Sequence, residues 1–324
     1  MASIGRRDFL VSAAAVASTL PALSAESEVA KETNLVEIEY PYQDGHSPWP
    51  LVLNASTVRQ APLDEKIRVA EDAGWDGLEL WIDDIEKYEA EGGNLQDLGQ
   101  EIKDRGLFIP NVIGLWNAMP ATKEAWDESL HDTQRRMRQV AEVGSPFVAA
   151  IPAPDREDFD LAWGIEMYRE LVRLGREDHN ITVAFEFIGF FKGIHRLGQA
   201  AAIALDADIP EACLIMDTFH LYRGGSGFNG IKHLQGSFFA DFHWNDVPDS
   251  MPREEMTDSD RTLPGDGILP LTQVLKDLHA IGYKRSLSLE LFREDLWAQE
   301  PEVVSRLGLE KMRTNLDAAG FWRS

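Results

Sequence analysis

The sequence predicts a single α/β domain that folds as a (β/α)8 TIM barrel, and three observations support this prediction. From about residue 50 onward, short apolar runs rich in branched residues alternate eight times with longer helical stretches. Glycines stand where a helix should end and the next strand begin, at Gly74, Gly106, Gly144 and Gly282. No change in composition divides the eight units into two groups, so we expect one closed barrel without a second domain.

The predicted strands are short apolar runs, and most of them end near a polar or aromatic residue. They span residues 51–54, 77–81, 108–113, 147–151, 182–187, 213–217, 237–243 and 287–291. The predicted helices span residues 62–73, 95–105, 127–143, 159–177, 197–205, 230–234, 271–281 and 301–318. We assign residues 49–324 to the barrel and residues 26–48, which are polar and lack a clear period, to an N-terminal arm.

Residues 1–25 have the pattern of a cleavable signal peptide. The segment Arg6-Arg7-Asp8-Phe9-Leu10 precedes an alanine-rich apolar run that ends at Leu23, and a small-residue cleavage site ends at Ala25. The run is too short to span a bilayer comfortably, and the arginine pair is typical of the twin-arginine export signal. A general secretory signal that contains two arginines is the alternative. We expect a periplasmic or secreted protein without a stable membrane anchor.

The net charge of the chain limits which classes of molecule it can bind. It has 31 basic and 55 acidic residues, a net charge of −24. Such a surface repels phosphate backbones and anionic lipids, so we expect no nucleic-acid partner. A neutral polyol is unaffected by this field, and a divalent cation is attracted. The single cysteine, Cys213, excludes a disulfide within the chain and reads as a small buried hydrophobe.

Four candidate metal ligands occur at the ends of four successive predicted strands: Glu186, Asp217, His243 and Glu290. The active site of such a barrel lies at the C-terminal ends of its strands. An unpaired carboxylate is costly to bury beside apolar residues, and one divalent cation would offset this cost for all of them. Three carboxylates and one imidazole favour Mn²⁺, Mg²⁺, Co²⁺ or Fe²⁺. Any one of these residues alone would more often be a helix cap or an ion-pair partner, but four in register favour a metal site.

The segments around these residues carry a family resemblance. They comprise residues 186–189, 217–220, 243–246 and 289–293, together with the loop 257–267. In these segments the chain resembles the sugar phosphate isomerase/epimerase family of xylose isomerase-like barrels, and within it the members that isomerise an inosose. The clear resemblance covers residues 181–297, whereas the first four strands match in rhythm only. It implies that the four candidate ligands bind one metal ion and that Glu186 and Glu290 face the substrate from two sides.

The expected reaction moves a proton next to a ketone. A metal that chelates the ketone oxygen and a neighbouring hydroxyl lowers the barrier to losing the α-proton, and Glu186 or Glu290 can accept it. Return of the proton to the adjacent carbon isomerises a keto-sugar or keto-polyol, and return to the opposite face epimerises it. His220, three residues after Asp217, is a further candidate proton carrier, because the family's histidine there contacts substrate oxygens. No nicotinamide or flavin is needed.

Four further residues are candidate substrate contacts. Arg261 lies in the long loop, and Trp116 offers an aromatic face near the third strand. Glu79 ends the second predicted strand, where it could contact the substrate or support a metal ligand without binding the metal itself. Lys192 stands six residues after Glu186, where ketohexose 3-epimerases of the family place a second substrate-binding glutamate. This difference disfavours a ketohexose epimerase and favours the members of the family that isomerise an inosose.

Two other functions fit the same residues. A dehydratase or lyase would use the same enediolate, but would then eliminate a group beside the α-carbon, with His220 available to protonate it. A binding protein would hold the metal and a sugar without turnover. The sequence is also compatible with an oligomer.

Overall fold

A computed structural model describes residues 45–323 and confirms the closed barrel of eight parallel strands. Each strand pairs with the next in chain order, and the last pairs with the first. The strands are β1 (Leu51–Asn54), β2 (Gly77–Trp81), β3 (Val112–Leu115), β4 (Phe147–Ala150), β5 (Thr182–Glu186), β6 (Cys213–Asp217), β7 (Phe239–Trp244) and β8 (Leu287–Leu289). The predicted signal peptide, and the predicted arm up to residue 44, lie outside the described residues.

Helices follow the strands around the barrel. They are α1 (Leu63–Ala73), α2 (Ile82–Ala90), α3 (Leu95–Asp104), α4 (Lys123–Glu142), α5 (Leu161–His179), α6 (Leu197–Asp206), α7 (Thr218–Arg223), α8 (Leu271–Ala280), α9 (Glu294–Trp297) and α10 (Pro301–Ala319). Of these, α2, α7 and the single turn α9 were not predicted. Between residues 45 and 323, no helix combines the length and apolar character that a membrane span requires.

The third strand was predicted too early. It begins at Val112 and not at residue 108. Pro110 has no N–H to donate to a neighbouring strand, so regular pairing starts only after it. The seventh strand likewise begins two residues later than predicted, because Gly236–Phe238 forms a turn of 3-10 helix.

The strands separate two apolar regions, and this separation positions the site. Residues on one face of the strands pack against the helices in the main core. Residues on the other face form a smaller cluster, which contains Ala184 of β5 and Ile215 of β6. Side chains two residues apart on a strand share a face, so Glu186 and Asp217 extend this inner row at the C-terminal ends of their strands. The polar site therefore lies directly above an apolar plug.

Candidate metal centre and active site

The other three predicted ligands lie around the Nδ1 atom of His243. The Nδ1 atom of His243 lies 3.2 Å from Glu186 Oε1, 3.2 Å from Glu290 Oε2 and 3.9 Å from Asp217 Oδ2. All four side chains are buried, with at most 3% of each residue exposed. Ligand atoms that share a cation at roughly 2.0–2.2 Å lie about 3–3.5 Å apart. The two glutamates lie within this range of Nδ1, and Asp217 lies slightly beyond it. Asp217, His243 and Glu290 form a group that could hold a metal ion, and Glu186 forms another with Asp217 and His220.

The two ring nitrogens of His243 have different surroundings. Within the described residues, buried Nδ1 has no hydrogen-bond partner, although two carboxylates lie nearby. Nε2 lies 3.0 Å from Glu79 Oε1, which places the proton of the neutral ring on Nε2. An unpartnered buried nitrogen aimed at carboxylate oxygens is the arrangement expected of a metal ligand. The residues present thus fit a divalent cation, held by His243 Nδ1 and the three carboxylates.

Glu79 supports this histidine from below. Its Oε1 also accepts a hydrogen bond from Asn111 Nδ2 at 2.7 Å, and its Oε2 accepts from Asn54 Nδ2 at 2.7 Å and Ser288 Oγ at 2.5 Å. Burial acts to raise the pKa of Glu79, but His243 and the donors outweigh it and lower that pKa. Protein donors therefore fill both oxygens of an ionised, fully buried carboxylate. Of the two roles that the sequence left open for Glu79, the geometry favours orienting the histidine over contact with the substrate.

We expect Glu79→Gln to weaken binding of Mn²⁺ by about 10–100-fold, the usual loss when an outer partner of a metal-bound histidine is removed. The amide cannot accept from all four donors, so His243 loses its fixed orientation. Calorimetric titration with Mn²⁺ measures the effect. Glu89→Gln, at a surface glutamate paired with Arg138, is the matched control. Equal affinities of these two variants for Mn²⁺ would contradict the orienting role.

Asp217 uses its two oxygens for different tasks. Oδ1 accepts hydrogen bonds from Phe219 N at 2.6 Å and Asn245 Nδ2 at 3.1 Å, and so caps α7. Oδ2 faces His243 and accepts from Arg261 Nη2 at 2.8 Å. Burial acts to raise the pKa of Asp217, but the Arg261 guanidinium outweighs it and holds that pKa well below its usual range. Asp217 can therefore cap α7 with one oxygen and bind a metal with the other.

His220 reaches the centre from α7. Its Nδ1 accepts a hydrogen bond from Gly189 N at 3.2 Å, and its Nε2 lies 3.3 Å from Arg261 Nη2, a group that can only donate. Nε2 lies 4.0 Å from both Glu186 Oε1 and Asp217 Oδ2. Burial lowers the pKa of His220 below its ordinary value. A neutral imidazole therefore lies beside two of the proposed ligands.

Arg261 is buried in the centre, with 1% of the residue exposed. Its guanidinium lies between the rings of Phe219 and Phe292, with the central carbon 4.4 Å and 4.9 Å from their centroids. It pairs with Asp217 and Asp258, and its Nη2 lies 3.5 Å from Glu290 Oε2. Arg261 therefore brings a fixed positive charge to the edge of the ligand cluster.

The loop that carries Arg261 is fastened by Asp246. Both carboxylate oxygens of this buried residue accept backbone hydrogen bonds, at 2.9–3.1 Å, from Val247, Gly265, Gly267 and Leu269. The backbone of Asp246 also pairs with Thr262, one residue after Arg261. A Cβ atom at Gly267 would lie 2.1 Å from Val247 O, so this position requires glycine. Asp246 thus fixes the two ends of the loop beside β7.

Burial raises the pKa of Glu290 to about 7, although nearby His243 acts in the opposite direction. Burial acts to lower the pKa of His243, but Glu290, Glu79 and Glu186 outweigh it and raise that pKa well above its usual value. In the metal-free protein the centre therefore retains protons at neutral pH. A cation must displace them when it binds.

Comparison with known proteins places this geometry in a family. The model of the xylose isomerase-like TIM barrel family matches residues 67–314. The chain belongs to this family. An inosose isomerase of Bacillus velezensis is 24% identical over 265 residues, which cover 79% of this chain and 92% of that protein. A 3-dehydroshikimate dehydratase of Pseudomonas putida is 23% identical over 255 residues, covering 77% of this chain but only 39% of that protein.

A solved structure of this xylose isomerase-like type also aligns with the chain. The crystal structure of the IolI protein with a bound zinc atom superposes with a TM-score of 0.75 and 22% identity. The superposition covers 85% of this chain and 99% of that one. At this identity the likeness demonstrates the shared fold.

The remaining predicted substrate contacts differ in position. Trp116 follows β3 and is half-buried, with its ring 5.4 Å from that of Trp81. Trp116 therefore lies at the C-terminal face of the barrel and remains a candidate substrate contact. The structure does not bring Lys192 to the centre: its side chain is 65% exposed, and its Nζ lies 3.4 Å from Glu157 Oε1. The backbone turns away after β5, so a spacing of six residues from Glu186 does not place Lys192 over the metal ligands.

Sequence reasoning missed two amides at the centre. Asn54 ends β1, and its Nδ2 donates to Glu79 Oε2 at 2.7 Å and lies 3.4 Å from Glu290 Oε1. Asn245 follows β7 and orients Asp217 through Oδ1. The available signal was their position at the C-terminal ends of strands, where only charged side chains and aromatic rings had been considered.

Proposed function

We propose that this chain is a divalent-metal-dependent isomerase or epimerase of a neutral keto-sugar or keto-polyol, an inosose being the model substrate. The convergence of Glu186 and Glu290 on His243 Nδ1, each at 3.2 Å, carries the proposal. It supplies two carboxylates at one point where a substrate carbon can exchange a proton. The similarity to inosose isomerases over most of their length supports the substrate class.

The cation would be held by Glu186, Asp217, His243 and Glu290. When bound, a divalent ion would act as a Lewis acid toward the substrate carbonyl and make the adjacent C–H more acidic. The oxygen-rich ligand set favours Mn²⁺, Mg²⁺, Co²⁺ or Fe²⁺, whereas the ion in the IolI structure is zinc.

The chain's own residues then divide the proton transfer. Glu186 or Glu290 removes the α-proton as general base, and the other carboxylate or His220 returns a proton to the enediolate. Neutral His220 lies beside the ligand cluster, with Nε2 4.0 Å from Glu186 Oε1, and can exchange a proton with a substrate oxygen. Arg261 is fixed beside Asp217 and Glu290, where it can hold a hydroxyl or carbonyl oxygen of the substrate. Burial of the whole cluster strengthens these electrostatic interactions.

Proton exchange in D₂O tests the proposal directly. The protein, loaded with Mn²⁺, is incubated with inososes, ketoses and 3-keto-glycosides, and the α-carbon is followed by NMR. We expect deuterium at that carbon and formation of an isomer or epimer. Binding of these ketones without any exchange would contradict the proposal and support a non-catalytic sugar-binding barrel.

Dehydration is a second candidate, because it begins with the same proton abstraction. The similarity to a 3-dehydroshikimate dehydratase favours it, and His220 is placed to protonate a leaving hydroxyl. In the D₂O experiment, elimination gives an unsaturated ketone with new ultraviolet absorbance. Isomerisation or epimerisation gives a product of unchanged mass apart from deuterium.

We further propose that residues 1–25 direct export through the twin-arginine route. The Arg6-Arg7 pair ahead of the apolar run supports this proposal. Replacing both arginines with lysine should leave the protein in the cytoplasmic fraction, measured by immunoblotting of cell fractions. Undiminished export of this variant would instead indicate the general secretory route.

A further inference from the structure

A cavity of about 480 Å³ opens beside the metal centre. We name it the outer cavity. Its walls come from Phe190 after β5, Arg223 of α7, residues 255–259 of the Arg261 loop, and Phe292, Glu294 and Trp297 after β8. Small-molecule sites typically measure about 300–1,000 Å³. The outer cavity therefore has the size of a ligand site and more room than one sugar ring fills.

His220 and Arg261 lie next to both the outer cavity and the proposed metal ligands. The ring of Phe190 lies 5.8 Å from that of His220. The ring of Phe292 lies 4.9 Å from the Arg261 guanidinium carbon, and Asp258 pairs with the same arginine. None of the four ligands lines the cavity. A ligand in it would thus extend outward from His220 and Arg261 without touching the metal.

The walls indicate the chemistry of this ligand. The rings of Phe190, Phe292 and Trp297 offer apolar faces, while Glu255 and Glu294 add exposed carboxylates that can accept hydrogen bonds from hydroxyl groups. The Nε atom of Arg223, the one guanidinium in this wall, donates to Met256 O at 2.7 Å. The excess of carboxylates disfavours a phosphate or carboxylate ligand. A ring with apolar faces and hydroxyl edges matches both features.

We propose that the outer cavity binds the second ring of a neutral glycoside, whose first ring carries the ketone and lies at the metal centre. This inference rests on the proposed function and specifies its substrate class as a keto-glycoside. Stacking of the second ring on Trp297 gives the cavity its affinity, and Glu255 and Glu294 hold its hydroxyl groups. The contacts with His220 and Arg261 align the first ring for proton transfer.

The test compares two substrates of the Mn²⁺-loaded protein, 3-ketoglucose and the same ketone within a disaccharide of two glucose units. The measured quantity is kcat/KM for solvent exchange at the α-carbon. We expect the disaccharide to be preferred about tenfold, and Trp297→Ala to bring the two values close together.

Two control variants should keep this preference. Trp297→Phe retains a ring but loses the hydrogen bond from Nε1 to Ser56 O, so it should retain the preference. Trp322→Ala, at a tryptophan that stacks on His46, should retain it too.

A binding measurement separates the failure of this inference from the failure of the proposed function. The unoxidised disaccharide is titrated calorimetrically into the wild-type and Trp297→Ala proteins, with glucose as the comparison. Binding of the disaccharide that weakens in the variant supports the outer site even if no ketone exchanges, in which case the proposed function fails alone. If the ketones exchange at equal rates and the disaccharide binds no better than glucose, the keto-glycoside inference is overturned and the proposed function stands.

Discussion

Replacing Glu186 or Glu290 with glutamine should lower turnover by about 10²–10⁴-fold, the usual contribution of a general base. The amide keeps the size of the side chain and one oxygen for coordination, but it loses the basic carboxylate. Each variant should therefore lose far more in kcat than in affinity for Mn²⁺. Solvent exchange at saturating Mn²⁺ measures the first quantity, and calorimetric titration measures the second. If only one glutamate is the base, the two variants will differ in α-carbon exchange.

The control for these variants is Glu142→Gln on α4, where the glutamate pairs with Arg138 at the surface. It should retain both turnover and affinity for Mn²⁺. A double variant of Glu186 and Glu290 that exchanged the α-proton at the wild-type rate would remove both carboxylates from the mechanism. His220, 4.0 Å from Glu186 Oε1, would then be the base to examine.

His243→Ala and Asp217→Asn should fail mainly because they no longer hold the cation. His243→Ala removes a proposed ligand atom. In Asp217→Asn the amide oxygen should take the place of Oδ1, which accepts from Phe219 N and Asn245 Nδ2, so the nitrogen replaces the proposed ligand atom Oδ2. The loss in affinity for Mn²⁺ should therefore exceed the roughly 10–100-fold loss expected for an outer partner. Excess Mn²⁺ should restore part of the turnover, because the carboxylates of Glu186 and Glu290 remain. Calorimetric titration and exchange rates across a Mn²⁺ series test both expectations.

His233→Ala provides the matched control, because this histidine is exposed on the surface. Circular dichroism checks that His243→Ala and Asp217→Asn retain the barrel, since Asp217 also caps α7. If His243→Ala bound Mn²⁺ as tightly as His233→Ala, His243 would not be a ligand.

The convergence of the centre could be predicted from the sequence because parallel strands bring their C-terminal ends to one rim. A residue that ends a strand is thereby placed near the residues that end its neighbours, whatever the chain does between them. Glu186, Asp217, His243 and Glu290 needed no further information. Trp116 also lies at this rim for the same reason.

The supporting contacts could not be predicted in the same way. The role of Glu79 depends on which atoms of β1, β7 and β8, and of Asn111 just before β3, face it across the barrel. Spacing along one strand does not determine this. The burial of Arg261 depends on a loop fold that the single carboxylate of Asp246 stabilises. Lys192 was a wrong candidate for a related reason. The backbone turns outward after β5, so the number of residues between Glu186 and Lys192 does not predict where the lysine side chain lies.

The arrangement of Asp246 has a consequence for how this protein can diverge. Backbone amides at both ends of the Arg261 loop are fastened to one carboxylate. The stretch from residue 248 to residue 260 hangs between these anchors and supplies one wall of the outer cavity. Insertions or substitutions there that spare Asp258, the partner of Arg261, can reshape that wall while the barrel rim and its ligand cluster keep their geometry. Substrate choice is thus open to mutation at positions of this segment that do not contact the metal site.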